Sequence, residues 1–291
     1  MRRMRSRWLM LAAVGTMVST VAAACSVPGM DDATAMLTPT SLPLAAATTV
    51  AEHHAEAPHY GYEGDVGPEH WADMLEAWKV CETGTQQSPI DLTNAVVATD
   101  EVLPDMTFNY GTSNLNLFNN GHTVQAAYDP GSTLTLGSDV YTLAQFHFHA
   151  HSEHVIDGEP TPLELHLVHS MQPTDGSAAR LAVVGVLITE GAEHPAFAAV
   201  MDHLPSEVTE EPHPVAGVTV DANAMLPADR TFYHYSGSLT TPGCTEGVAW
   251  QVLTTPIELS ADQIAAFTAL HDENFRPVQP IGERELQVSG P

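Results

Sequence analysis

The stretch "LAQFHFHAHSEH", Leu143–His154, places four histidines and a glutamate in twelve positions where an ordinary strand would carry valine and threonine. Side chains alternate faces along a strand, so His147 and His149 point to one side while Phe146 and Phe148 point to the other. Further on, "LELHLVHS" (Leu163–Ser170) alternates in the same way, with Glu164, His166 and Val168 on one face and Leu165, Leu167 and His169 opposite. The intervening "AHSEHVIDGEPTPL" carries turn residues and is long enough to return the chain antiparallel, which sets His166 against the first pair. Three neutral imidazoles on one rigid sheet suit zinc, with a fourth tetrahedral position left for water. An open position marks a catalytic site. With no anionic ligand to offset the ion's charge, a water held there ionises far more readily than free water. A lone H-x-H would more simply be a pair of hydrogen-bonded core histidines, but the second strand and the polar neighbours Gln145 and Glu164 weigh against that.

Outward from this stretch the patterning is that of a sheet. Short β-prone runs, among them "TFNY", "TVQAAY", "STLTLG", "DVYTLAQFHFH", "RLAVVGVLI", "TFYHYSGSL" and "VAWQVL", are separated by Gly, Pro, Asn and Asp turn signals. Helical pattern is confined to "GPEHWADMLEAW", "PAFAAVMDHL" and "SADQIAAFTALH", the last opened by Ser260 as an N-cap. The expected fold is mainly β (α+β): a single domain around a large twisted, mainly antiparallel central β-sheet with a few short peripheral helices.

Among the 291 residues, 36 are acidic and nine basic, and 44% are apolar, enough for a sizeable core. Arg2, Arg3, Arg5 and Arg7 belong to an N-terminal segment of export type, with a basic start, an apolar stretch from Trp8 to Val21 and small residues Ala22-Ala23-Ala24 before the cut. The apolar stretch is too short to span a bilayer comfortably. Without these arginines so acidic a chain lacks the basic side chains that neutralise phosphates, and nucleic-acid binding is excluded. Cys25 directly follows the alanines and resembles the lipidated cysteine of bacterial lipoproteins. The expectation is a signal peptide over residues 1–24, cleaved before Cys25, and an exported protein of the periplasm or cell surface, membrane-tethered through Cys25. Residues 25–58, rich in Ala, Thr and Pro, read as a flexible linker, with His53, His54 and His59 as solvated residues near its end. Cys81 and Cys244 remain: either they form a bridge, which suits an oxidising compartment, or they are two buried thiols.

The chain from about Tyr60 to the C-terminus resembles an α-class carbonic anhydrase of the exported bacterial kind. The resemblance rests on "GYEGDVGPEHW", "QQSPIDL", "NNGH", "QFHFHAHSEH", "LELHLVH", "LAVVGVLI", "GSLTTPGCTEGVAW" and "NFRPVQP", in that order. It implies a catalytic domain over residues 59–291 that reversibly hydrates carbon dioxide to bicarbonate and a proton. Its zinc ligands fall on His147, His149 and His166, with Gln145, Glu164 and the backbone carbonyl of Asn274 orienting them. Thr240 matches a hydroxyl that accepts from zinc-bound hydroxide and donates to a carboxylate, here Glu153, and Thr241 a neighbour that helps hold bicarbonate. Val168, Val183, Leu239, Val248 and Trp250 match the apolar wall beside the metal, and His122 matches the proton shuttle. The resemblance further implies sulfonamide and anion inhibitors, allows a homodimer, and pairs Cys81 with Cys244.

Some positions depart from the family. Tyr60 stands where many relatives have tryptophan, and Ala150-His151 where exported bacterial members often have Thr-Pro. His151 reads as a loop residue without a role and His154 as a buried, hydrogen-bonded core histidine. Lys79 is the only lysine, which with the acidic excess suggests adaptation to salt. Two competing readings are a non-catalytic binding module, against which all three ligand histidines stand, and a zinc esterase, for which no HExxH motif is present.

Overall fold

A computed structural model describes residues 57–97, 103 and 105–290. The expected signal segment, Cys25, His53, His54 and most of the expected linker lie outside the described residues. In chain order the strands are β1 (Val96–Val97), β2 (Met106–Asn109), β3 (Thr112–Asn119), β4 (Val124–Ala127), β5 (Thr133–Leu136), β6 (Asp139–His149), β7 (Leu163–Met171), β8 (Arg180–Glu190), β9 (His213–Asp221), β10 (Phe232–Ser238), β11 (Glu246–Leu259) and β12 (Gln287–Val288). They form one mixed sheet in the order β1-β12-β10-β11-β8-β7-β6-β4-β3-β9, with β5 pairing the start of β6 and β2 pairing β5. Most pairs are antiparallel; β8 with β11 and β1 with β12 are parallel.

The alternation seen in the sequence becomes the division of this sheet into two faces. Phe146, Phe148, Leu163, Leu165, Leu167, Val184 and Val186 enter the large core, where Phe197 of the short helix Pro195–Met201 and Phe267 of the helix Ala261–Thr268 close over them. The opposite face of β7, β8 and β11 carries a second apolar cluster containing Val183, Tyr235, Val248 and Trp250. Ser260 caps the Ala261–Thr268 helix as expected, in a capping box with Gln263.

One local expectation changes, and two strands form outside the expected runs. "GPEHWADMLEAW" is not one helix: it makes an α-turn at Trp71–Met74 and a 3₁₀ turn at Glu76–Trp78, broken by the extended Leu75. Tertiary anchors override helix propensity here, because the Trp71 indole donates to the Gly61 and Val66 carbonyls and Cys81 is bonded to Cys244. "TSNLNLFN" forms β3, although its asparagines read as turn signals; buried Leu115 and Leu117 supply the period-two pattern. "HPVAGVTVD" forms β9 despite Pro214 and Gly217, at the end of the strand order, where a missing ladder donor is tolerated.

The Cys81–Cys244 disulfide joins residues 163 apart. Loop-closure entropy alone assigns it about 5 kcal/mol. It fastens the segment carrying Trp71 and Trp78 to the loop that leads from β10 to β11, and that loop carries Thr240 and Thr241.

Candidate active site

Strands β6 and β7 pair with His147 opposite His166 and His149 opposite Glu164. Backbone register therefore puts three imidazoles on one patch of sheet, and a second set of contacts decides how they point. His147 Nδ1–H donates to Gln145 Oε1 at 2.8 Å, His149 Nδ1–H to the Asn274 carbonyl at 2.6 Å, and His166 Nε2–H to Glu164 Oε1 at 2.9 Å. Each outer hydrogen bond fixes a tautomer and leaves the inner nitrogen a bare lone pair. These inner nitrogens converge within 4.8 Å of one another.

Glu164 is the most heavily committed of the orienting groups. Its Oε2 accepts from the backbone N–H groups of Glu153 and His154, and its Oε1 from His154 as well as His166. Burial opposes its ionisation, but His154 and His166 hold its carboxyl well below the usual range. Gly185, opposite His166 in β8, makes room for it: a Cβ there would come within 2.9 Å of Glu164 Oε1. His154 extends the chain inward, with its Nε2 2.6 Å from the Tyr235 hydroxyl, which meets Ser88 Oγ at 2.9 Å. Although His154, Glu164 and His166 cluster, both imidazole protons already point at the carboxylate. The ring nitrogens that face Glu164 therefore offer a cation no free lone pair.

The three-histidine cluster passes the opposite test. Among the described residues, His149 Nε2 is buried without a hydrogen-bond partner, and so is Glu153 Oε2, 3.5 Å away. Two buried acceptors facing each other are unfavourable unless a cation or a donated proton lies between them, so the donor set fits a metal ion. Burial keeps His147 and His149 below the ordinary imidazole range, in the neutral form a ligand needs. For His166, burial acts in the same direction, but Glu164 and Glu153 together push it upward.

A cavity of about 250 Å³ opens over this cluster. Val168, Val183, Leu239 and Trp250 form an apolar part of its lining, while Thr240, Thr241 and His122 contribute polar groups. Val248 is not among the lining residues; it packs behind them in the same apolar cluster. The hydrogen bond expected between Thr240 and Glu153 is not formed. Glu153 Oε1 accepts from the Arg276 backbone N–H, while Oε2 faces His149 and His166. His151 is exposed beside Phe275 and does not line the cavity.

The sequence reading did not assign Tyr60, Tyr62, Gln125 and Leu181 to the cavity. Leu181 could have been found from the alternation of β8, two residues before Val183. The tyrosines come from an irregular segment with no period to read. His59, expected to be a solvated linker residue, is exposed, yet its ring lies against His122.

The chain is also similar to known proteins along most of its length. A family model described as eukaryotic-type carbonic anhydrase matches residues 66–290. The carbonic anhydrase of Nostoc sp. is 41% identical over 235 residues, covering 79% of this chain and 86% of its own length. That of Pectobacterium carotovorum is 41% identical over 227 residues, covering 78% and 89%. Among solved structures, the α-carbonic anhydrase of Thermovibrio ammonificans in complex with the inhibitor sulfanilamide superposes with a TM-score of 0.72 at 37% identity, covering 79% of this chain and 98% of that one.

Proposed function

The chain belongs to the eukaryotic-type (α) carbonic anhydrase family, the enzymes that hydrate carbon dioxide, and on that premise we propose that His147, His149 and His166 hold a catalytic zinc ion. The observation that carries the proposal is the set of outer hydrogen bonds that leaves three inner imidazole nitrogens as converging lone pairs. Three imidazoles without a carboxylate suit zinc better than calcium or magnesium, which take oxygen ligands. Zinc bound there supplies Lewis acidity, making water acidic enough to act as a nucleophile at neutral pH.

The protein's own groups do the rest. The apolar wall of Val168, Val183, Leu239 and Trp250 positions an uncharged, weakly hydrated substrate without ligating it, and Val248 supports the wall from behind. The Thr240 hydroxyl orients the nucleophile by accepting its hydrogen bond. Its own proton goes to Glu153 Oε2, the acceptor that lacks a donor. Thr241 holds the bicarbonate product, and His122 at the cavity carries away the proton that each hydration releases. Sulfonamides, of which one occupies the Thermovibrio relative, are inhibitors of this chain too. Export and tethering through a lipidated Cys25 complete the proposal; cells fed a fatty-acid analogue should label wild type and not Cys25→Ser.

The test is metal analysis with a carbon dioxide hydration assay on the purified protein. Wild type should contain one zinc per chain and lose activity on chelation. His147→Ala should lose the ion and nearly all hydration, since two imidazoles do not hold it in an open tetrahedral site. Hydration at the wild-type rate by a metal-free His147→Ala protein would overturn the assignment.

A further inference from the structure

The two sulfurs of the Cys81–Cys244 bridge differ in what can reach them. Cys81 keeps 7% of its surface and lines a second cavity, of about 350 Å³, with Glu69, Glu82, Arg276 and Gln279 among the other lining residues. Cys244 is fully buried, packs with Trp71, Ala72 and Trp78, and does not line that cavity. Its backbone is closed in as well, with the N–H donating to the Thr241 carbonyl at 2.8 Å and its own carbonyl accepting from Gln87 Nε2 at 3.2 Å. Thiol–disulfide exchange begins with attack at one sulfur and depends on access to it. Only Cys81 offers that access.

The buried part of this cavity is a cation. Arg276 is 2% exposed; its Nη1 donates to Gln87 Oε1 and to the Ser88 carbonyl, both at 2.8 Å, and its Nη2 to the Cys81 carbonyl at 2.7 Å. A guanidinium carries five N–H donors. Among the described residues, the Nε–H and the second Nη2–H meet no protein acceptor. Burial lowers the Arg276 pKa to about 10, with Glu153 acting the other way, so the group stays charged at neutral pH. Glu69 and Glu82 are exposed and supply the negative charge of the lining. A cation with spare donors inside and carboxylates outside suit a ligand with an anionic sulfur and a cationic flank.

We propose that Cys81 is the exchanging sulfur of this bridge and that the cavity beside it receives a partner disulfide flanked by cationic groups, with Arg276 stabilising the Cys81 thiolate and Glu69 and Glu82 holding the cationic flank. In the reduced chain, the Cys81 thiolate attacks one sulfur of the partner. The partner's S–S bond breaks, and its other sulfur leaves with the electron pair and takes a proton from water. The Cys244 thiolate then attacks Cys81 Sγ and expels the remaining partner sulfur as a second thiolate. Two cysteines are oxidised and one partner disulfide is reduced to two thiols. Cys244 does not start the sequence, because apolar burial disfavours its thiolate, whereas a neighbouring arginine favours that of Cys81. Closure of the bond anchors the loop that carries Thr240 and Thr241 from a surface outside the active-site cavity.

The test uses folded full-length Cys244→Ser and Cys81→Ser proteins, with cystamine (cationic), hydroxyethyl disulfide (neutral) and dithiodipropionate (anionic) as probes and peptide mass spectrometry to locate each adduct. Cystamine should modify Cys81 in Cys244→Ser at least about tenfold faster than Cys244 in Cys81→Ser. At low salt the rate at Cys81 should fall from cystamine to hydroxyethyl disulfide to dithiodipropionate, by about threefold or more at each step, and the spread should shrink in Glu69→Gln/Glu82→Gln and at high salt. The pH dependence of the rate should place the Cys81 thiol below the ordinary value of about 8.5. Wild type needs no substitution: cysteamine added to the folded, oxidised protein should leave its adduct on Cys81 and a free thiol on Cys244. An adduct on Cys244, equal rates in the two variants, or reaction only after urea would overturn the assignment of Cys81. Equal rates with cationic and anionic probes at low salt would overturn the cationic partner.

Discussion

Two groups of histidines lie in or beside one cavity, and they differ in how the rest of the protein holds them. His147, His149 and His166 stand on paired strands, each with one nitrogen tied to an acceptor and the other aimed inward. His122 and His59 stand on connecting segments, positioned by ring stacking, and among the described residues no group hydrogen-bonds a ring nitrogen of either. The first arrangement fixes tautomer and direction, which is what a metal ligand requires. The second leaves both nitrogens free to exchange protons, which is what a carrier requires. Imidazole does not choose between these roles; the groups bonded to its outer nitrogen do.

The sharpest way to break the comparison is to cut the outer bonds of the first group. Glu164→Ala removes the acceptor of four donors, so it should weaken zinc affinity by about 10²-fold in chelator competition and lower the melting temperature as well. Gln145→Ala removes one acceptor, at the cavity wall, and should cost about tenfold in affinity with little change in melting temperature. Equal metal affinity in both variants and wild type would mean that the outer bonds do not matter.

Cutting into the second group should affect turnover and leave the metal alone. His122→Ala should retain full zinc, lower kcat by about tenfold or more and spare kcat/KM, because proton release follows formation of bicarbonate. A loss of zinc in this variant would erase the distinction between the two groups.

The smallest effect concerns a histidine of neither group. His169 is buried on the core side of β7, its Nδ1–H donating to the Ala182 carbonyl and its Nε2 accepting from the Tyr110 hydroxyl at 2.6 Å. Burial pushes its pKa down to about 4, against an ordinary value of 6.5. The unfolded chain therefore binds more protons between those values. Stability from this group is complete above pH 6.5 and is lost as pH falls toward 4, at a slope of up to about 1.4 kcal/mol per pH unit. Denaturant unfolding from pH 7 to 4 should show a shallower slope in the double variant Tyr110→Phe/His169→Leu, by about one proton, with hydration at neutral pH unchanged. An identical slope would show that His169 does not titrate in this window.

Much of this was legible in the chain. The alternation of "QFHFH" and "LELHLVH" gave the face on which each histidine sits, and the turn-rich connection gave the antiparallel return; β6 spans the expected Asp139–His149. The N-cap of the last helix was legible for the same reason, since a cap depends on residues within one turn. What could not be read was set by contacts between distant segments. The broken helix after Trp71 answers to carbonyls at Gly61 and Val66 and to a disulfide partner 163 residues on. Nothing local marked His59 as anything but a linker residue, or showed that Glu153 would turn from Thr240 toward the imidazoles.

By itself, then, the sequence determined the sheet, its two faces and the three inward histidines, because strand periodicity and turn chemistry act over a few residues. Only the tertiary structure decided which nitrogen of each ring is bare, which tyrosine covers His122 and which imidazole stands next to it. Those choices depend on ångström-scale placement of side chains brought together from β6, β7, the Asn274 segment and the chain around Tyr60, and no local pattern encodes such distances.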